Sequence, residues 1–232
     1  MRPKKPVFYP LNRMLILLTV GLFSLVALLS APALAHPHLW IDARAKVAFD
    51  DQGRISAIEH AWTFDEAFSI YIIQGLDEDR NGVFTREELA PLAQTNVEAL
   101  AEFAFFTFMG VEEDTIDFAG PQNYWLSYDK AATRLTLHFT LPLKQPALVI
   151  GKMVLEIYDP EYFIAFSLND QNAVQLAQNA PSTCALEIQK APVMDEAFAA
   201  VLGEIPSDQR QVPDDMFQIT SQLSNSAIIH CS

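Results

Sequence analysis

The chain of 232 residues is poor in the groups that common catalytic machineries need. It has two cysteines, Cys184 and Cys231, and no CxxC pair, so thiol–disulfide catalysis has no motif to use. It has no HExxH, no GxSxG and no other nucleophile–base pattern, and it reads as a non-enzyme. It has no internal repeat and no low-complexity tract. Basic residues are scarce: 15 Lys plus Arg stand against 29 Asp plus Glu. Such a balance argues against nucleic acid and against anionic lipid as partners, and it favours solubility and cation binding.

Four of the basic residues, Arg2, Lys4, Lys5 and Arg13, precede the apolar run "MLILLTVGLFSLVALLS" at 14–30. Ala33 and Ala35 put small residues at the −3 and −1 positions of a cleavage site. Residues 1–35 therefore read as a secretory signal peptide, the alternative being a retained membrane anchor. Cleavage after Ala35 makes His36 the mature N-terminus and leaves 11 basic against 29 acidic residues, a net charge of −18. The expectation is a periplasmic protein with no membrane insertion after cleavage. Export into an oxidising compartment makes Cys184 and Cys231 read as one disulfide, with a thiolate metal site as the alternative.

Residues 36–232 suffice for one good core. "HLWIDARAKVAFD" (38–50) alternates apolar Leu39, Ile41, Ala43, Ala45, Val47 and Phe49 with His38, Trp40, Asp42, Arg44 and Lys46. The turn "DDQG" returns it as "RISAIEHAWTF" (54–64), a hairpin. Helices are expected over 65–76 and 85–103, the second with Pro91 as a point of kinking or division. Strands are expected at 103–110, 124–129, 134–143, 152–159, 162–168, 184–190 and 226–231. A helix is expected at 193–205, with 169–183 a polar loop. The pattern predicts an α+β fold: a mainly antiparallel sheet carrying an EF-hand-like helix–loop–helix insertion at about 64–103 and a C-terminal helix.

The insertion contains "DEDRNGVFTREE" (77–88). Asp77, Asp79 and Asn81 occupy positions 1, 3 and 5 of a calcium loop, and Gly82 holds position 6, where the chain turns sharply. Val83 offers its carbonyl, Thr85 reaches the ion directly or through water, and Glu88 closes position 12 bidentately. Apolar Phe84 fits position 8. The loop has no second loop to pair with, so a structural calcium of weak affinity is expected rather than a switch.

The histidines are His36, His38, His60, His138 and His230. A free α-amine and imidazole on His36 can chelate one metal, and Pro37 removes the backbone amide that another N-terminal mode would need. That chemistry suits copper, zinc or nickel. His38, His60 and His138 are expected on polar strand faces, where they complete a site if the strands are neighbours. Asp42, Glu59 and Asp65 are nearby carboxylates that could ligate or support them. His230 reads as structural or idle.

The segments "AHPHLWIDARAKVAFDDQGRISAIEHAWTFDEAFS", "GLDEDRNGVFTREELAPLA", "YWLSYD", "LTLHFTLPL" and "YDPEYFIAF" together resemble the domain-of-unknown-function 1007 family, over essentially all of the mature chain. Its members are exported bacterial proteins often labelled as the periplasmic component of an uncharacterised ABC-type transport system, and in context the family is similar to nickel, cobalt or zinc uptake and efflux systems. The resemblance implies metal traffic in the periplasm, with "HPH" carrying His36 and His38 into a site and "EHAW" carrying His60. The function expected is a metal-binding accessory or solute-binding component serving a membrane metal transporter. The alternative is a calcium-stabilised interaction module without a transition metal.

Overall fold

The computed structural model describes residues 37–111, 114–169, 172–192, 194, 196–206, 209 and 212–232. The expected signal peptide and His36 lie outside them. Among the described residues, eleven strands and four α-helices follow one another in an α+β arrangement. They are β1 (Leu39–Phe49), β2 (Ile55–Phe64), α1 (Glu66–Ile72), α2 (Arg86–Leu100), β3 (Thr107–Val111), β4 (Asp114–Thr115), β5 (Gln122–Asp129) and β6 (Arg134–Ala147). After them come β7 (Lys152–Ile157), β8 (Ile164–Ser167), β9 (Val174–Leu176), β10 (Cys184–Gln189), α3 (Glu196–Gly203), α4 (Asp214–Thr220) and β11 (Asn225–Cys231).

The strands form two sheets where the sequence pattern predicts one. The first runs β5-β6-β2-β1-β8, with β9 also on β1; the second runs β10-β11-β7-β3-β4. Most pairs are antiparallel, but β8 and β9 join β1 in parallel. Strict alternation on β1 and β6 gives each strand one apolar face, and burying those faces sets the packing. Trp62, Ile58, Leu135, Leu137 and Phe139 of the first sheet share one apolar cluster with Met153, Leu155, Ile157 and Ile229 of the second. Each such side chain contributes roughly 1.5–3 kcal/mol by leaving water. A smaller cluster, Leu202, Ile205, Val212 and Met216, gathers the C-terminal helices.

The expected helix over 65–76 ends at Ile72. Asp65 caps it by accepting the Phe68 amide at 2.9 Å, and a turn containing Gly75 at φ +82° then leads into the 77–88 segment. The second helix is continuous through Pro91. Its start is a capping box: Glu88 N–H donates to Thr85 Oγ1 at 3.2 Å, and the Thr85 amide donates to Glu88 Oε2 at 2.8 Å. Buried Leu89, Ala93 and Val97 seat this helix on the core. Cys184 and Cys231 face each other across β10 and β11 and are joined by a disulfide. Such a bond fits an oxidising, extracytoplasmic compartment. Among the described residues no helix is long and apolar enough to cross a membrane.

Candidate metal centre

The 77–88 segment folds back on itself through short polar bonds. Asp77 Oδ1 accepts the Asn81 amide at 3.1 Å, and its Oδ2 accepts the Gly82 amide at 2.9 Å. Asp79 Oδ1 also accepts the Asn81 amide at 3.1 Å, and Asn81 Oδ1 accepts the Val83 amide at 2.6 Å. Gly82 stands at φ +75°, a left-handed conformation that explains glycine at this turn. From the far end of the loop, Glu88 Oε1 reaches the Glu78 amide at 3.0 Å. These bonds draw one oxygen each from Asp77, Asp79 and Glu88 to within 4.8 Å of one another.

The ligand set is all oxygen, the preference of a hard cation. Bonds from Thr85, the backbone amide first and the hydroxyl second, hold the Glu88 carboxyl below its ordinary pKa, so it is ionised at neutral pH. Thr85 itself is committed to the capping box, and its hydroxyl donates to Glu88 Oε2 at 2.8 Å.

Among the described residues, the histidines are not brought together. Ala45 of β1 pairs with His60, so His60 lies on the apolar row with Ile58, Trp62 and Phe64, not on a polar face. It is 3% exposed and stacks on Phe139 with ring centroids 4.6 Å apart. Trp62 Nε1 donates to its Nδ1 at 3.2 Å. That bond fixes the proton on Nε2, which donates to Thr107 Oγ1 at 3.4 Å, while the Thr107 hydroxyl donates to the Phe105 carbonyl at 2.9 Å. Both ring nitrogens are thereby used, and no lone pair is left for a metal. Burial pushes the pKa of His60 down to about 3.

His138 pairs with Ala61, which puts it on the opposite face of the sheet. Its Nε2 lies 3.0 Å from Ser127 Oγ, and its ring stacks on Trp125 at 3.8 Å. Desolvation, with the Arg86 charge second, lowers its pKa. His38 shares that outer face, stacked on Phe163 at 4.5 Å. It stands six residues before Arg44, which lies in the cross-strand row of His138, so about 20 Å of strand separates the two. His230 lies on β11 of the second sheet, opposite Ala185 and Lys152. The nearby carboxylates have other duties: Asp42 pairs with Arg134, Glu59 with Lys46, and Asp65 caps α1.

Sequence reading missed the Arg86–Trp125–His138 stack, in which the Arg86 guanidinium lies 4.1 Å over the indole. The distance in sequence between the three residues carries no periodic signal. For His60 the signal was present: Ile58, Trp62 and Phe64 flank it at the two-residue spacing of a buried face.

Two β-sheets around a common apolar core, closed by a disulfide and carrying a loop of converging carboxylates, define an α+β domain with a candidate hard-cation site. The chain belongs to the family described as "Protein of unknown function (DUF1007)", which it matches over residues 21–231. An uncharacterised protein of Haemophilus influenzae is similar, 24% identical over 217 residues that span 92% of this chain and 97% of the relative.

Proposed function

We propose that this protein is a periplasmic, non-enzymatic accessory domain whose 77–88 loop binds one structural calcium ion in the manner of an EF-hand. Asp77, Asp79, Asn81, the Val83 carbonyl and Glu88 supply the oxygens, and Thr85 acts through water. The observation that carries this reading is the approach of three carboxylate oxygens to within 4.8 Å around a left-handed glycine. Unscreened carboxylates that close repel one another, and a divalent cation relieves the repulsion. The short α1 and the intervening turn depart from a regular helix–loop–helix, so the ion's role is to brace the junction between α1 and α2.

The alternative assignment, transition-metal handling for a membrane transporter, now rests on His36 and His38, because the nitrogens of His60 are committed to Trp62 and Thr107 and His138 lies some 20 Å of strand from His38. Calorimetric titration with calcium and with zinc separates the two readings. Calcium binding in the extracellular range of about 10⁻⁴–10⁻³ M is expected. Its loss in Glu88→Gln, with no tight zinc binding, is the outcome that fits. Sub-micromolar zinc binding abolished by His38→Ala contradicts it.

A further inference from the structure

Calcium loops of this kind commonly work in pairs, and this one is single. The space beside it is filled by the β5–β6 hairpin. Loop residues 82, 84 and 86 meet hairpin residues 130, 128 and 125 in descending order. Lys130 Nζ donates to the Gly82 carbonyl at 3.2 Å. Phe84, at loop position 8, meets Tyr128 edge to face at 5.0 Å. Arg86, at position 10, covers Trp125 at 4.1 Å, and Trp125 covers His138 at 3.8 Å. Every second residue of the loop's exit thus touches the hairpin, Gly82 through its carbonyl and Phe84 and Arg86 through their side chains, with Tyr128 on the core face of β5 and Trp125 on its outer face. Tyr128 and Trp125 are held in place by the β5–β6 ladder, which pairs Tyr128 with Leu135 and Trp125 with His138.

We infer that the β5–β6 hairpin is the partner of the single cation loop, so that the state of the loop is read out at Trp125 and His138 on the outer face of the first sheet. This inference rests on the calcium reading above. Two consequences follow from the contacts. The Lys130 ammonium sits on the carbonyl of the loop's central glycine and opposes an incoming divalent cation, so it lowers the loop's affinity. Arg86 lies two residues before Glu88, so closure of Glu88 on an ion displaces the guanidinium that already covers the indole. The same displacement alters the charge felt by His138.

The test is nuclear magnetic resonance of the protein titrated with calcium chloride, alongside calorimetry. Addition of calcium shifts the Trp125 indole N–H and the His138 ring signals and leaves the Trp62 indole, bonded to His60 in the core, unmoved. Trp125→Phe assigns the indole peak. In Arg86→Ala calcium still binds, and the Trp125 response disappears. Lys130→Met raises calcium affinity roughly three- to tenfold, the size of one unit charge acting through water-rich surroundings. Arg86 and Lys130 are exposed, so these variants fold. Calcium binding without a Trp125 or His138 response, or an unchanged affinity in Lys130→Met, overturns the coupling and leaves the calcium site standing. Absence of calcium binding overturns both.

Discussion

His60 sits at the centre of a directional relay. Trp62 donates to it, it donates to Thr107, and Thr107 donates to the Phe105 carbonyl. The relay needs a neutral imidazole. With a folded pKa of about 3 against 6.5 in the unfolded chain, the unfolded state takes up a proton first as pH falls. Full stability is therefore present above about pH 6.5 and is lost progressively between there and pH 3. The loss amounts to at most about 5 kcal/mol, since each tenfold difference in proton affinity between the two states is worth about 1.4 kcal/mol. Melting measured from pH 7 to pH 4 should fall steeply in the wild type and less steeply in His60→Gln, which starts lower. Parallel profiles for the two proteins would remove His60 as the acid-sensitive group. The row of apolar neighbours, Ile58, Trp62 and Phe64, made this burial readable from the sequence, but the polar character of histidine argued for the other face.

At the scale of elements, two side chains fasten α1 and the end of β2 to the sheet. Ser69, fully buried, donates to the Asp65 carbonyl at 2.6 Å and accepts the Leu135 amide at 3.0 Å. Arg134 donates to the carbonyls of Phe64 and Thr63 at 2.7 and 3.2 Å and to Asp42 Oδ2 at 2.6 Å. Replacing Arg134 by Met strands two carbonyls and a carboxylate, and the expected cost is about 1–3 kcal/mol in urea unfolding. An unchanged midpoint would show that water replaces the guanidinium without loss. The strands β1, β2, β6, β7 and β11 were legible because alternation is a local property. The parallel addition of β8 and β9 to β1 was not, because it joins residues more than 120 positions apart. Helix α4, seven residues long, is too short to show a helical period. In the loop, spacing alone located every side chain that converges, whereas the hairpin against which it rests left no trace in the spacing.

Across the whole molecule, stability is drawn from a shared core between two sheets and from a disulfide at the edge of the second sheet. The disulfide closes a separation of 47 residues. Its removal in a Cys184→Ser, Cys231→Ser double variant is expected to cost roughly 4 kcal/mol by loop entropy, read from the denaturant midpoint. A variant as stable as the wild type would place the constraint elsewhere. The acidic balance of 29 against 15 charges favours a bound cation over an anionic partner.

The most direct measurement is thermal unfolding of the wild type and Glu88→Gln, each in a calcium chelator and in 10 mM calcium. For a site of about 10⁻⁴–10⁻³ M affinity, calcium should raise the wild-type midpoint by roughly 3–10 °C. The Glu88→Gln midpoint should be the same in both conditions. A wild-type midpoint indifferent to calcium, or an equal rise in both proteins, would contradict a calcium ion held by the 77–88 loop.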